Sequence, residues 1–248
     1  MIGEVGTGKS TLIQALLEQL DVSMRTALIT HTTLDRDEIL AMIAREFQLE
    51  YKKMSRVELL AGLADFVLEE NRSRQPPPVL IIDEAQNLVG EVLEEIRLIT
   101  NMEVSNEKLI QVVLVGQPEL EETLAQPTLR QLRQRIAVRA KLTPLSQPET
   151  SSYIAHRLEV ADCADSELFS DGAQQIVYDA SGGVPRLINI LCEQSLVNAF
   201  GAGQEQVDEL RAIEAVVDVG LLPPRSERMQ PQQPPKQLQL LQLGTLSA

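Results

Sequence analysis

The chain has 248 residues, of which 44% are hydrophobic, enough to bury a core in one or two domains. Its 22 Lys and Arg residues are outnumbered by 36 Asp and Glu, so the formal net charge is −14. This charge disfavours a surface that binds nucleic acid through its phosphates, and we do not expect nucleic acid as the main partner. No apolar run reaches the ~18 residues that a membrane span requires, so we expect no span and a cytoplasmic location.

Cysteine and histidine are too few and too scattered to build a metal site. Cys163 and Cys192 lie far apart in the sequence, and His31 and His156 are solitary. This usage predicts neither a zinc site nor a disulfide framework. We expect all four residues to contribute to packing.

The first motif in chain order is a glycine-rich octapeptide, GEVGTGKS at residues 3–10, which fits G-x-x-x-x-G-K-[ST]. Its three glycines let the backbone form a nest of inward-pointing N–H groups that can bind phosphate. An ordinary glycine turn is the alternative interpretation. Lys9 would neutralise phosphate charge, and Ser10 would offer an oxygen to Mg²⁺. The sequence predicts that ATP or a related nucleotide is bound by Gly3, Glu4, Val5, Gly6, Thr7, Gly8, Lys9, Ser10 and Thr11.

Helical and strand patterns alternate over residues 1–144, which predicts an α/β domain with a mainly parallel sheet between helices. The predicted strands are 25–30, 79–83, 109–116 and 136–142, and the predicted helices include 35–47 and one that follows a capping box at 55–58. The runs VLIID and LIQVVLVG are continuously apolar, as expected for strands that are covered on both faces.

The pattern becomes purely helical from residue 145 onward, which predicts a small all-helical domain over 145–220. Its predicted helices are 147–160, 170–180, 184–200 and 205–217. Residues 221–248 are rich in proline and glutamine, and we expect them to be disordered. The stretch QLQLLQL at 237–243 is either a docking segment or part of a featureless tail.

A second motif, VLIIDEAQ, places two acids at the carboxyl end of a predicted buried strand, where open α/β sheets bind their ligands. Asp83 would hold Mg²⁺ through its water shell, and Glu84 would take a proton from the water that attacks the γ-phosphate. A solvated turn is the alternative. The phosphate loop upstream favours the nucleotide hydrolase.

One segment is basic, although the chain as a whole is acidic. Residues 128–143 contain no acid and carry Arg130, Arg133, Arg135, Arg139 and Lys141. An arginine that reaches a neighbouring subunit's nucleotide must be free of a permanent acidic partner, and this segment meets that condition in sequence. A solvated basic face is the alternative.

Five separated motifs together resemble AAA+ ATPases of the general secretion pathway protein A type. They are the phosphate loop, IIDEAQNL, LVGQPEL, LRQLRQRI and SGGVPRLIN, and the resemblance extends from Gly3 to about residue 217. The resemblance implies a P-loop NTPase (AAA+) fold followed by a helical lid domain. It also implies ATP hydrolysis with Mg²⁺ and assembly into a homo-oligomer.

The same resemblance assigns roles to three further residues. Gln117, which closes a predicted strand, would sense the γ-phosphate, and Arg135 would act on a neighbouring subunit's nucleotide. Arg130 and Arg133 remain rivals for the second role. Arg186 would start a lid helix after Pro185 and point toward the nucleotide.

In this family the phosphate loop follows a strand in the middle of the sheet, which here is reduced to Met1 and Ile2. The resemblance makes LIQVVLVG and IAVRAKL the neighbours of that strand. Their facing edges would be left unpaired, so we expect a fragment or a misplaced start, with further residues upstream in the natural chain.

The sequence therefore predicts an ATP-hydrolysing module that serves assembly of a bacterial secretion or polysaccharide-export machine. Its partners would be further copies of the chain and protein components of the envelope machine. It would act in the cytoplasm or at the inner face of the inner membrane. The alternatives are a transposition-type, DNA-associated AAA+ ATPase and a nucleotide-regulated scaffold with little turnover.

Overall fold

The computed structural model of the protein describes residues 1–104, 107–163 and 167–221. They fall into two compact units, Met1–Pro144 and a second unit that begins at Leu145. The predictions for residues 222–248, including the stretch at 237–243, lie outside the described residues.

Strands and helices alternate along the first unit. The strands are β1 (Ile2–Gly3), β2 (Thr26–Ile29), β3 (Val79–Ile82), β4 (Glu103–Val104), β5 (Glu107–Lys108), β6 (Gln111–Leu114) and β7 (Lys141–Leu142). The helices are α1 (Lys9–Gln19), α2 (Arg36–Glu46), α3 (Arg56–Arg72), α4 (Gly90–Thr100), α5 (Glu119–Ala125) and α6 (Arg130–Arg135), with short 3₁₀ turns at Ala85–Asn87 and Pro127–Leu129.

The short strand β1 connects the two parts of the parallel sheet. β2, β3 and β6 pair in parallel in that spatial order, and β1 pairs in parallel with β7. Ile2 also forms a parallel bridge with Gly116, and the Gly3 N–H donates to the Gly116 carbonyl at 3.1 Å. The spatial order is β2-β3-β6-β1-β7, which confirms the neighbours predicted for the first strand.

Helices cover both faces of the sheet, because the side chains of β3 alternate between two apolar clusters. Leu80 and Ile82 pack in the cluster that α2, α3 and α4 build, whereas Val79 and Ile81 pack with Ile13 of α1. All four residues of β3 are buried. The predicted sheet between helices is therefore confirmed.

Two strands differ from their predictions in length or burial. Of the predicted strand 136–142, only Lys141–Leu142 forms a strand, and Val138 is 82% exposed, so the prediction for 136–140 is wrong. Gln111 of β6 is exposed and the rest of β6 is only half-buried, although a strand covered on both faces was expected. Both differences follow from β1, whose two residues pair with only the ends of these neighbours.

Helices α2 and α3 confirm their predicted positions, and both begin with a capping box. Ser55 accepts from the Glu58 N–H, while the Glu58 carboxylate accepts from the Ser55 N–H. Asp35 and Glu38 form the equivalent box at the start of α2. These reciprocal bonds fix the helix starts, because each satisfies two backbone donors that the helix itself leaves without partners.

The described part of the second unit is helical, with one β-bridge between Phe169 and Val207. Its helices are α7 (Gln147–Val160), α8 (Asp171–Ser181), α9 (Pro185–Gly201) and α10 (Glu209–Asp218). Gly183 lies against the start of the unit, since its carbonyl accepts from the Leu145 N–H at 2.8 Å. Any side chain at Gly183 would collide with the Leu145 carbonyl, because an added Cβ would lie 1.9 Å from that oxygen.

The expected packing role of the histidines is wrong. His31 is exposed, and the His156 side chain is 68% exposed. Cys163 and Cys192 are half-buried, and burial raises the pKa of the Cys192 thiol to about 12. Within the described ranges, no cluster of His, Cys, Asp or Glu is arranged to hold a metal ion, and no helix has the length and apolarity to cross a membrane.

Candidate active site

The phosphate loop connects β1 directly to α1. Gly6 and Gly8 have φ values of 81° and 95°, a left-handed backbone that favours glycine. Helix α1 begins at Lys9 without a side-chain cap. Its first N–H groups therefore lack acceptors in the helix and are available to a bound anion.

Gly3 lies where the loop passes closest to the sheet. A Cβ added there would lie 2.6 Å from the Thr7 Oγ1 and 2.9 Å from the Leu142 Cβ. Thr7 holds this approach, because its hydroxyl donates to the Glu4 carbonyl at 2.8 Å. A Cβ added at Gly8 would meet no atom within 4 Å, so glycine is favoured there by its left-handed backbone and not by lack of space.

Lys9 is held inside the loop. Its side chain is buried, and its Nζ donates to the Gly3 carbonyl at 2.8 Å and to the Glu4 carbonyl at 3.0 Å. Ser10 and Thr11, the next two residues of α1, are exposed. The loop thus presents a cation, uncapped amides and a hydroxyl around one concave surface.

The acid pair follows β3 as predicted. The Asp83 N–H donates to the Ile29 carbonyl at 2.8 Å, and the buried Asp83 carboxylate accepts the Glu84 N–H at 2.9 Å through Oδ1. Glu84 has a φ of 51°, which is uncommon for a residue other than glycine. This left-handed turn ends the strand and separates the directions of the two acids.

The Glu84 carboxylate accepts hydrogen bonds from two side-chain amides. Gln86 Nε2 and Gln117 Nε2 both donate to Glu84 Oε2, the second at 3.4 Å. The Gln86 bond holds the pKa of Glu84 below its ordinary value, and Gln117 and the Lys9 charge lower the pKa further, although burial opposes them. The structure therefore brings Glu84 and Gln117 together, within electrostatic reach of Lys9.

Sequence reasoning missed two polar residues at this edge of the sheet. Gln86 belongs to the VLIIDEAQ motif, but nothing in the motif shows that its Oε1 accepts the Gln117 N–H at 3.0 Å. Thr32 is 3% exposed, and its hydroxyl donates to the Glu84 carbonyl at 3.0 Å. The only signal for Thr32 was its position shortly after β2, at the edge where α/β sheets bind ligands.

The arginines of the basic segment lack acidic partners in the described part of the chain, where no ion pair involves Arg130, Arg133, Arg135 or Arg139. Arg135 is the last residue of α6 and is half-buried, and its Nη1 donates to the Thr100 carbonyl at 3.4 Å. Arg130 and Arg133 are exposed. The choice between the three stays a prediction.

Arg186 belongs to the second unit. It is exposed in the first turn of α9, directly after Pro185, as the sequence predicts. Its role toward the nucleotide stays a prediction.

The residues present fit Mg²⁺ and a triphosphate. The uncapped start of α1 and the Lys9 ammonium suit phosphate oxygens. Among the described residues, the Asp83 carboxylate accepts one hydrogen bond, from the Glu84 N–H to Oδ1, so Oδ2 would be available to a metal-bound water. The exposed Ser10 hydroxyl would be a second oxygen ligand.

A parallel sheet in this order, with a phosphate loop after the internal strand β1 and an acid pair after β3, defines a P-loop nucleotide-binding module of the AAA+ class. The chain belongs to the AAA domain family, which matches residues 1–124.

Among curated proteins, the chain is 44% identical over 207 residues to the general secretion pathway protein A of Aeromonas hydrophila. The matched region covers 84% of this chain and 38% of that relative, so the chain spans about two fifths of its length. This similarity confirms the resemblance that the five motifs indicate.

Two solved structures show the same fold at low identity. Cdc6p from Pyrobaculum aerophilum matches with a TM-score of 0.65 and 21% identity, covering 88% of this chain and 59% of that one. The Aeropyrum pernix ORC2 protein in its ADP form matches with a TM-score of 0.61 and 17% identity, covering 88% and 61%. At these identities the similarity concerns the fold alone.

Proposed function

We propose that the chain binds and hydrolyses ATP, with Glu84 as the general base. The observation that carries this proposal is the position of the Glu84 carboxylate at the carboxyl end of β3, where it accepts hydrogen bonds from Gln86 and Gln117. A carboxylate in this position can accept the proton of an attacking water. Gln117 would donate its amide to the γ-phosphate or to that water.

The phosphate loop would supply binding and charge neutralisation. The amides at the start of α1 would cradle the β-phosphate and γ-phosphate, and the Lys9 ammonium would leave the loop carbonyls to contact them. Ser10 and Asp83 would hold Mg²⁺. The bound metal ion would neutralise charge on the phosphates as the transferred group departs.

Part of the machinery would come from outside the phosphate-binding unit. The helical second unit would act as a lid whose Arg186 contacts the nucleotide, and Arg135 would reach the site of a neighbouring copy. The absence of ion pairs to Arg135 among the described residues supports the second assignment, since an acidic partner would oppose its release. The functional assembly would be a homo-oligomer.

The cellular role would be assembly of an envelope secretion or polysaccharide-export machine, with the protein in the cytoplasm or at the inner face of the inner membrane. The 44% identity to general secretion pathway protein A supports this proposal. The net charge of −14 disfavours a role that depends on DNA binding.

Substitution of Glu84 tests the hydrolysis. Glu84→Gln keeps the size of the side chain and should retain ATP binding, but turnover should fall by about 10²–10⁴ because the base is lost. Turnover is measured as phosphate release and binding by titration with a fluorescent ATP analogue. Glu18→Gln, at an exposed position of α1, is the matched control and should behave as wild type. Near-normal turnover of Glu84→Gln would disprove the assignment.

A further inference from the structure

The Gln86 side chain joins the ends of two neighbouring strands. Its Nε2 donates to the carboxylate of Glu84, the second residue after β3, and its Oε1 accepts the N–H of Gln117, the third residue after β6, at 3.0 Å. Both polar atoms of one amide are therefore used within the candidate active site. An ordinary half-exposed glutamine would leave at least one of them to water.

The backbone around this amide leaves it little room to move. A Cβ added at Gly116 would lie 2.9 Å from Gln86 Oε1 and 3.3 Å from the Gln86 backbone nitrogen, so a side chain at position 116 would displace the Gln86 amide. Gly116 is also the residue whose carbonyl accepts the Gly3 N–H from the phosphate loop. The Gln86 amide thus lies beside the junction of β6 with the phosphate loop.

The fold does not require the Gln86 side chain to hold this turn. The Ala85 N–H donates to the Val115 carbonyl at 2.8 Å, and the Asn87 N–H donates to the Glu84 carbonyl at 3.0 Å. These backbone bonds secure the 3₁₀ turn without any side chain. The bonds of the Gln86 amide instead orient the Glu84 carboxylate and hold the Gln117 backbone.

We propose that Gln86 is a positioning residue, which fixes the Glu84 carboxylate relative to Gln117 so that the base and the amide facing the γ-phosphate keep one relative geometry. This inference rests on the proposed ATP hydrolysis. Gln86 acts through Glu84 and Gln117 and does not itself contact the nucleotide. Without it, the Glu84 carboxylate samples several rotamers, and few of them place it against the attacking water.

Two substitutions of Gln86 in the 248-residue chain distinguish the loss of both hydrogen bonds from the loss of the donor alone. Gln86→Met keeps the length of the side chain and removes both hydrogen bonds. Gln86→Glu keeps an acceptor for the Gln117 N–H but places a second carboxylate against Glu84. Gln111→Met, at an exposed position at the start of β6, is the matched control.

Gln86→Met should lower kcat about 10- to 100-fold, the range expected when a hydrogen bond to a charged group is lost. Gln86→Glu should lower kcat further, because like charges push the Glu84 carboxylate away. The affinity for ATP, measured with a fluorescent analogue, should change less than about threefold in both variants, as should KM, because Gln86 makes no ground-state contact with nucleotide. Gln111→Met should match wild type in kcat and melting temperature.

A double-mutant comparison distinguishes positioning from a general structural role. In the Glu84→Gln background, adding Gln86→Met should lower the residual single-turnover rate by less than about threefold, because the base is already absent and only the bond to the Gln117 N–H remains to be lost. A further loss of the same factor in that background would overturn the inference, as would a wild-type kcat in Gln86→Met or Gln86→Glu. If wild type hydrolyses ATP no faster than Glu84→Gln, the proposed function itself fails and this inference fails with it.

Discussion

The Lys9 ammonium is bonded to the carbonyls of its own loop, Gly3 and Glu4. These bonds satisfy the buried cation in the absence of a ligand, and in the proposed function phosphate oxygens would replace them. Removal of Lys9 should therefore affect the ligand-free loop as well as nucleotide binding.

Lys9→Ala should abolish the stabilisation that Mg-ATP gives to the folded protein. A ligand at a hundred times its Kd stabilises the native state by about 2.7 kcal/mol, which is visible as a higher melting temperature. Wild type and the control Lys52→Ala, at an exposed lysine, should both show this shift. Thermal melts with and without Mg-ATP measure it. An equal shift in Lys9→Ala would contradict the role of Lys9.

The residues found from sequence and those missed differ in where their partners lie. The phosphate loop and the acid pair are encoded by neighbours in the chain, so short motifs predict them. Gln86 and Thr32 each also bond a residue far away in the sequence: Gln117 is 31 positions from Gln86, and Glu84 is 52 positions from Thr32. No local pattern carries that information, because it depends on which strands are adjacent.

At the scale of elements, helices were easier to predict than strand lengths. The capping box at Ser55 sets the start of α3 from within four residues. The length of β7 depends instead on β1, which offers only Ile2 and Gly3 as partners. Apolar composition could suggest a longer strand over 136–142, but only hydrogen-bond pairing makes a strand.

An acidic residue buried between helices gives the first unit a polar element within its apolar packing. Glu95 of α4 is 1% exposed, and its carboxylate accepts two hydrogen bonds from Arg56 Nη2, at 2.8 and 3.0 Å. Arg36 lies 3.5 Å from the same carboxylate. The starts of α2 and α3 are thereby tied to the middle of α4.

Arg56→Met should lower the free energy of unfolding by about 2 kcal/mol or more, because it leaves the buried Glu95 carboxylate without its main partner. Arg72→Met, at the other end of α3, is the matched control. Arg72 and Glu69 are both about 70% exposed at 3.8 Å, so its loss should cost less than about 0.5 kcal/mol. Denaturant titration compares the two, and equal losses would contradict the importance of the buried pair.

At the scale of the whole molecule, the basic segment is the feature that points beyond a single copy. Residues 128–143 contain four arginines and no acid in a chain whose net charge is −14, and none of the four forms an ion pair in the described ranges. In the proposed homo-oligomer, this segment would be attracted to acidic residues and to a bound nucleoside triphosphate in the neighbouring copy.

Arg135→Ala should lower kcat by about 10³ or more with little change in ATP affinity, if the guanidinium completes a neighbour's site. Mixing it with Glu84→Gln should restore some activity, because one interface then pairs an intact Glu84 with an intact Arg135. Arg130→Ala and Arg133→Ala, tested in the same way, decide between the three arginines. Absence of rescue in assemblies that contain both variants would argue against action between subunits.

The two-residue strand β1 links local opening of the sheet to the phosphate loop. Ile2 and Gly3 join β6 to β7, and Gly3 is also the first residue of the phosphate loop. Local opening of this junction and release of phosphate should therefore be one event, so bound nucleotide should slow deuterium uptake at the Gly3 and Gly116 amides. The Leu109 amide, bonded to the Met102 carbonyl away from the loop, should keep its rate, and equal slowing at all three would contradict the coupling. Bound nucleotide would then first reduce local opening of the sheet where β1 pairs with β6 and β7.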